Sequence, residues 1–468
     1  MFFVFLWGVS RVTLPWGLKK FILLLASYLF YAAWSPPLVA LLWVSTIAGW
    51  IVVQGLGHTE RIGRRRALLV VGLIINLGLL GYFKYGGFLL ENFTAAVHWL
   101  GWKFVPPALD LLLPVGISFY TFRTLSYIVD VYKRKTQPWP SFLDYALYVT
   151  FFPQLLAGPI MRATDFLPQC AEPRRATDRQ LGWGLTLFVV GLFEKIVVAD
   201  TLMAPVAAQV FDVPEMATLL AAWVGTLAFA NQIFCDFAGY STCAIGVAMC
   251  LGFMTPDNFR FPYAAIGFTD FWRRWHISLS SWLRDYLYIS LGGNRKGRIR
   301  TYVNLMATML LGGLWHGASW TFVVWGGLHG LYLVVERALK AVVPDRPLWH
   351  RSPVKLLLAL LTFAMVCIAW VFFRAKTFDR AFMLAMAMLG NAPSDAPLDM
   401  ASLGLVASGT VALVTFLVLA VHWFMRDSSL EETAAKCPWW VRAAILAAML
   451  VAIVTLSGEE RAFLYFQF

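Results

Sequence analysis

The chain has 468 residues, of which 60% are hydrophobic and 14% charged, with a formal net charge of +12. A soluble domain carries nearer a quarter of its residues as charged ones, so this composition excludes an ordinary soluble globular protein. The positive balance is no nucleic-acid signature in such a chain, because Lys and Arg gather in cytoplasmic loops and face anionic headgroups.

The N-terminus is apolar from its first residues and shows no small-residue cleavage site, which reads as a retained membrane anchor. Apolar runs then recur at 21–34, 37–53, 67–82, 108–122, 142–161, 181–198, 217–234, 303–315, 319–335, 354–373, 402–424 and 439–456. Each approaches the roughly 20 residues that a spanning helix needs, predicting an all-α polytopic membrane protein with about ten to twelve membrane-embedded helices. The alternating pattern of a membrane β-barrel is absent. Pro153, Gly158 and Pro159 in 142–161, with Gly239, Gly246 and Gly252 in 239–253, predict re-entrant or broken helices. Such breaks are tolerated in a bilayer only when buried in protein or lining a cavity. With no soluble domain, long linker or repeat in view, residues 1–468 read as one integral-membrane domain.

Charge supplies an orientation. Arg61, Arg64, Arg65 and Arg66 form one basic cluster, Lys133, Arg134 and Lys135 a second, and residues 272–300 the largest. All three are expected on the cytoplasmic side, with 200–215 and 391–400 outside. The six cysteines have no metal-like or paired spacing and read as buried thiols, and no metal site is expected.

Two regions concentrate polar chemistry. In 268–297, a helix over 269–290 would place Trp272, Trp275, Leu279 and Trp282 on one apolar stripe, with His276 beside it. Arg273, Arg274, Arg284 and Asp285 fit either an interfacial helix reaching lipid phosphates or a basic mouth for an anionic, nucleotide-bearing donor. The second region is GGLWHGASWTFVVWGGLHG (312–330), where His316 follows Trp315 inside an otherwise apolar stretch. A helix over 301–316 extends about 24 Å, less than the hydrocarbon thickness of about 30 Å, so the Gly-flanked turn lies within the membrane. Ionisable groups at that depth tend to be functional or paired, and an apolar setting favours the neutral, proton-accepting imidazole. His329 has the plainer reading of a buried ring bonded to a carbonyl. Gly312, Gly313 and Gly317 allow close backbone approach, and Gly326 with Gly330 reads as internal helix packing.

The ordered set LLLASYLFYAAW (23–34), LGYFKY (80–85), LLPVGISFYTFRTLSYIVDVY (112–132), FFPQLLAGPIMR (151–162), FCDFAGYS (234–241), NFRFPY (258–263), FWRRWHISLSSWLRDYLYISLGGNRKG (271–297), LLGGLWHGASWTFVVWGGLHG (310–330), WVFFRA (370–375) and YFQF (465–468) resembles the membrane-bound O-acyltransferase family. Within it the chain is similar to the bacterial polysaccharide-modifying branch that acetylates alginate. The resemblance implies a ring of tilted helices around a central funnel or tunnel. It also implies transfer of an acyl group to a hydroxyl, with the family's catalytic histidine matching His316 and its assisting histidine matching His276. Acetyl-coenzyme A is the implied donor, with no tightly bound cofactor. The implied destination is an extracytoplasmic partner acetyltransferase that decorates the polysaccharide, the enzyme itself lying in the bacterial inner membrane. Asp236 matches the first Asp of the family's Phe-Asp-Phe-Ser-Gly-Tyr-Ser and is expected to orient backbone or an imidazole. The Asp that commonly follows that motif is absent, since Thr242 and Cys243 follow Ser241.

On this reading His316 takes the proton of the attacking hydroxyl, while His276 and Asn304 hold the donor or stabilise developing charge. No Gly-x-Ser-x-Gly, Walker A, dinucleotide or His-Glu-x-x-His motif supports a different chemistry. The competing readings are O-acetylation of cellulose or peptidoglycan, D-alanyl transfer onto teichoic acid, or a solute or proton transporter.

Overall fold

The computed structural model describes residues 14–106, 113–214, 217–344, 346–391, 400–456 and 461–464, together with Gly8 and Gly458. The apolar start of the chain, Glu215, most of 391–400 and the terminal Tyr-Phe-Gln-Phe lie outside them. Among the described residues eight helices are long and apolar enough to cross a bilayer: Trp16–Trp34, Pro36–Gly57, Ile62–Trp99, Asp178–Phe211, Leu219–Cys250, Trp320–Val342, Ser352–Arg374 and Leu405–Met425. They coincide with eight of the twelve apolar runs. The remaining runs take other forms: Ile117–Tyr132 and Trp439–Thr455 are shorter helices, Gly297–His316 begins in basic sequence, and 142–161 is broken.

The chain's contacts divide it into two compact units, residues 1–185 with 244–256 and residues 186–243 with 257–468. The first unit contains α1 (Trp16–Trp34), α2 (Val39–Gly57), α3 (Ile62–Trp99), α4 (Ile117–Tyr132), α5 (Phe142–Thr150) and α6 (Ala163–Ala171). Arg65 is buried at the junction of three of these helices. It donates to the carbonyls of Leu56 (2.5 Å) and Thr59 (3.2 Å) and to those of Val131 and Tyr132 (both 3.0 Å). A guanidinium there satisfies the orphan carbonyls and the negative dipole ends of α2 and α4 together. That contact brings the first two basic clusters to one end of the unit, as their shared charge requires. The expected break follows α5, where the chain turns at Phe152–Gln154 and runs irregularly to Arg162. The fully buried Arg123 donates to the carbonyls of Val149 and Gln154, and the Tyr148 hydroxyl donates to that of Met161 at 3.2 Å. These bonds replace those the broken helix gave up.

Helix α7 (Asp178–Phe211) and helix α8 (Leu219–Cys250) each pass from one unit to the other. Contrary to expectation, α8 runs unbroken through Gly239 and Gly246. Gly239 is a contact point instead: a Cβ there would stand 2.6 Å from the Gly191 carbonyl oxygen of α7. Small residues at such crossings let backbones approach, and that role displaces any helix-breaking one.

The second unit continues with α9 (Phe268–Arg274), α10 (Ile277–Trp282), α11 (Gly297–His316), α12 (Trp320–Val342), α13 (Ser352–Arg374), α14 (Phe378–Met388), α15 (Leu405–Met425), α16 (Leu430–Lys436) and α17 (Trp439–Thr455). Helices α11 and α12 form a tight hairpin whose turn follows His316. A Cβ on Gly313 would collide with the Phe322 carbonyl, and one on Gly326 with the Met309 carbonyl. Gly326→Ala is therefore expected to destabilise by about 1–3 kcal/mol, the usual cost of overpacking. Its neighbour Gly327→Ala, whose Cβ would meet Leu310 at an ordinary 3.4 Å, is expected to leave the detergent-solubilised protein's melting temperature unchanged. Equal melting temperatures for the two variants would refute this account of the hairpin.

Candidate active site

The expected helix over 269–290 is interrupted. After α9, Trp275 adopts an extended conformation and His276 a left-handed one (φ 42°), before α10 begins at Ile277. A left-handed histidine is uncommon and is held only where its surroundings over-determine it. Asn258, which opens the NFRFPY segment, does the holding. Its carbonyl accepts from the Ile277 N–H at 2.9 Å, and its side-chain oxygen accepts from the Ser278 N–H (3.3 Å) and hydroxyl (2.8 Å). Its amide nitrogen donates to the Ser241 hydroxyl at 3.0 Å, anchoring the break to α8.

The same oxygen of Asn258 lies 3.2 Å from Nδ1 of His276. A backbone N–H can only donate, so the Ser278 contact identifies this Asn258 atom as the oxygen. Nδ1 of His276 must then carry the proton, which leaves Nε2 as the lone-pair atom of the neutral ring. His276 is 0% exposed, and burial holds its imidazole down to about 3. The ring is uncharged at neutral pH.

His316 ends α11 and is 3% exposed. Its ring centroid lies 4.9 Å from that of Trp315, 5.0 Å from Trp325, 5.4 Å from Phe373 and 6.5 Å from His276. His276 in turn stands edge-on to Phe237 at 4.6 Å and 6.1 Å from Trp315. Two imidazoles recognised 40 positions apart thus share one wall of aromatic rings. Such surroundings exclude bulk water and strengthen any electrostatic interaction made inside them.

The tryptophans extend this wall. Trp275 packs 4.9 Å from Trp370, and Trp272 lies 5.1 Å from His329. His329 does not bond a carbonyl, as the plainer reading has it. Both its ring nitrogens lack a hydrogen-bond partner among the described residues, and the ring stacks on Phe271 at 5.8 Å.

The polar candidates lie in other arrangements. Arg273 is exposed. Arg274 is clamped by Asp270 (2.9 Å) and donates to the Arg426 carbonyl (2.7 Å), so it ties α9 to the end of α15. Arg284 pairs with Asp285 at 2.8 Å near the surface. Asn304 donates to the Gly293 carbonyl at 3.0 Å and fixes the turn before α11. Asp236 orients backbone, not an imidazole: it accepts from the Leu464 N–H at 3.0 Å and pairs with Lys195. Sequence reasoning missed Asn258, Ser241, Trp325 and Phe373, which carry no spacing signal. Lys195 did carry one, because Glu194-Lys195 interrupts an apolar run. Among the described residues no group of three His, Cys, Asp or Glu side chains is placed to hold a metal ion.

Against known proteins, residues 138–378 match the model of the MBOAT, membrane-bound O-acyltransferase family, a span that includes both histidines. The chain is 39% identical over 469 residues to a probable alginate O-acetylase of Pseudomonas putida, covering 96% of this chain and 94% of that one. It is 40% identical over 412 residues to the probable alginate O-acetylase of Azotobacter vinelandii, covering 87% and 80%. A peptidoglycan O-acetyltransferase of Helicobacter pylori is 39% identical over 397 residues, covering 79% and 74%.

Proposed function

Because the chain belongs to the membrane-bound O-acyltransferase family, and so is a multi-pass membrane O-acyltransferase, we propose that it carries an acetyl group from cytosolic acetyl-coenzyme A to the other side of the bacterial inner membrane. The destination is an alginate-like polysaccharide, reached through an extracytoplasmic partner acetyltransferase. The observation that carries this reading is the pair of buried imidazoles with ring centroids 6.5 Å apart. The likeness to probable alginate O-acetylases over nearly the whole chain supports the polysaccharide destination. The peptidoglycan relative keeps a second reading open, the same chemistry on a cell-wall sugar.

In the proposed reaction the acceptor hydroxyl attacks the thioester carbonyl and His316 takes its proton. The C–S bond breaks, an oxygen ester forms, and the departing thiolate receives the proton as the free thiol. His276, with Nδ1–H committed to Asn258, offers Nε2 as an acceptor. Its part is therefore to orient a hydroxyl or share its proton, while stabilising an oxyanion falls to donors. Both imidazoles are almost wholly buried, so substrates must displace neighbouring side chains to reach them.

The direct test supplies labelled acetyl-coenzyme A to the purified protein in liposomes with its candidate partner outside. Label on the partner, dependent on His316, is the expected result; label that stays on the donor side overturns the reading. Asn258 acts as a positioning residue, and Asn258→Ala is expected to lower kcat at least about tenfold, since losing buried hydrogen bonds costs about 1–3 kcal/mol each. Asn258→Asp retains the acceptor oxygen but puts a carboxylate beside Nδ1, favouring the charged ring and moving the pH–rate profile to higher pH. A merely structural role would leave that profile in place.

A further inference from the structure

The proposed reaction needs a donor for the oxyanion, and the two histidines leave that place unfilled. His276 commits its Nδ1–H to Asn258, and His316 serves as the proton acceptor. A thioester carbonyl under attack gathers negative charge on its oxygen, and preorganised N–H groups stabilise that charge best. Trp325 carries such a group. It is 1% exposed and stands edge-on to His316 with ring centroids 5.0 Å apart. Its indole N–H has no hydrogen-bond partner among the described residues. An indole can only donate, and a donor buried without an acceptor is costly.

The rings around Trp325 do not supply the acceptor. Phe373 (5.1 Å) and Trp370 (5.7 Å) offer carbon faces or another N–H. Trp272 (5.9 Å) and His329 (4.9 Å) complete the box, and their buried ring nitrogens also lack partners among the described residues. These two rings lie 5.1 Å from each other. Phenylalanine could line such a box at no polar cost, so packing alone does not account for the orphaned nitrogens. Trp315, another indole beside His316, differs: it also lies 6.1 Å from His276, whose Nε2 is an acceptor.

We propose that the Trp325 N–H is a catalytic donor that binds the thioester carbonyl oxygen and stabilises the tetrahedral oxyanion. As the acceptor's hydroxyl oxygen bonds to the carbonyl carbon, the C=O π pair moves onto the carbonyl oxygen and His316 takes the hydroxyl proton. The N–H···O bond strengthens as this charge develops, because water is excluded from the surrounding rings. Re-forming the C=O bond expels the thiolate, which takes the proton from His316. Trp272 adjoins the exposed Arg273 of the basic stretch expected on the cytoplasmic side, so the box lies toward the side from which the thioester comes.

This role rests on the acyl-transfer reading, and rates of transfer from labelled acetyl-coenzyme A, measured on the full chain in liposomes, test both. Trp325→Phe keeps an aromatic ring but removes the N–H. It is expected to lower kcat about 10²-fold while KM for acetyl-coenzyme A stays within about threefold, as for a donor used in the transition state. Because phenylalanine is smaller, β-(3-benzothienyl)alanine at position 325 is the second replacement; it keeps the bicyclic shape with sulfur in place of N–H. The same loss of kcat is expected from it, at the wild type's melting temperature. Trp223→Phe removes an indole N–H bonded to the Met388 carbonyl at 3.0 Å, and is expected to keep the wild-type kcat. Wild-type kcat in the benzothienyl protein, or a loss of equal size in Trp223→Phe, overturns the proposal. If the wild type transfers no label, the acyl-transfer reading fails and this role with it. If transfer depends on His316 but not on the N–H at position 325, only this role fails.

Discussion

His316→Ala is expected to reduce acetyl transfer by about 10²- to 10⁴-fold, the usual contribution of a positioned general base. The loss should fall on kcat, because the imidazole acts on a proton in flight and makes little contribution to holding either substrate. The variant should still fold. His316 is the last residue of α11, its packing partners are aromatic rings on several elements, and the hairpin itself is held by the Gly313 and Gly326 crossing. An alanine there costs ring contacts but breaks no helix. Initial rates with labelled acetyl-coenzyme A, run beside size-exclusion profiles and melting curves, separate the two effects. Wild-type rates in a well-folded His316→Ala protein would remove the base from the mechanism. Loss of rate together with loss of the folded peak would show instead that the ring holds the hairpin.

The parts of this protein that could be read from its residues are those set by local periodicity and cost. Long apolar runs have few alternatives to spanning helices, and eight of them took that form. His316 announced itself because an imidazole is expensive in an apolar helix, and the structure ends α11 at that residue. The failures have a common cause, which is a partner far away in sequence. Nothing in 269–290 forbids one helix; the break at Trp275 and His276 is imposed by Asn258, reached through a separate segment and tied to Ser241. Gly239 looked like a helix breaker because its counterpart, Gly191, lies on another helix. Asp236 looked able to serve an imidazole because Lys195, 41 positions away, was not recognised as its partner.

That last pairing carries the largest expected effect on stability. Asp236 is 1% exposed and its side chain meets Lys195, which also binds Asp200 at 2.9 Å. Asp236→Ala takes from Lys195 one of its two carboxylate partners and from the Leu464 N–H its acceptor, two losses of about 1–3 kcal/mol each. The triple variant Lys195→Met, Asp200→Asn and Asp236→Leu should recover much of that loss, since it removes the cation together with both carboxylates that share it. Asp236→Asn separates two contributions. It abolishes the charge but keeps an oxygen for the Leu464 N–H. Melting temperatures should therefore fall in the order wild type, triple variant, Asp236→Asn, Asp236→Ala. If the triple variant melts no higher than Asp236→Ala, the weakened Lys195 pairing is not the source of the loss. The carboxylate then acts chiefly as the acceptor that pins residues 461–464 to α8.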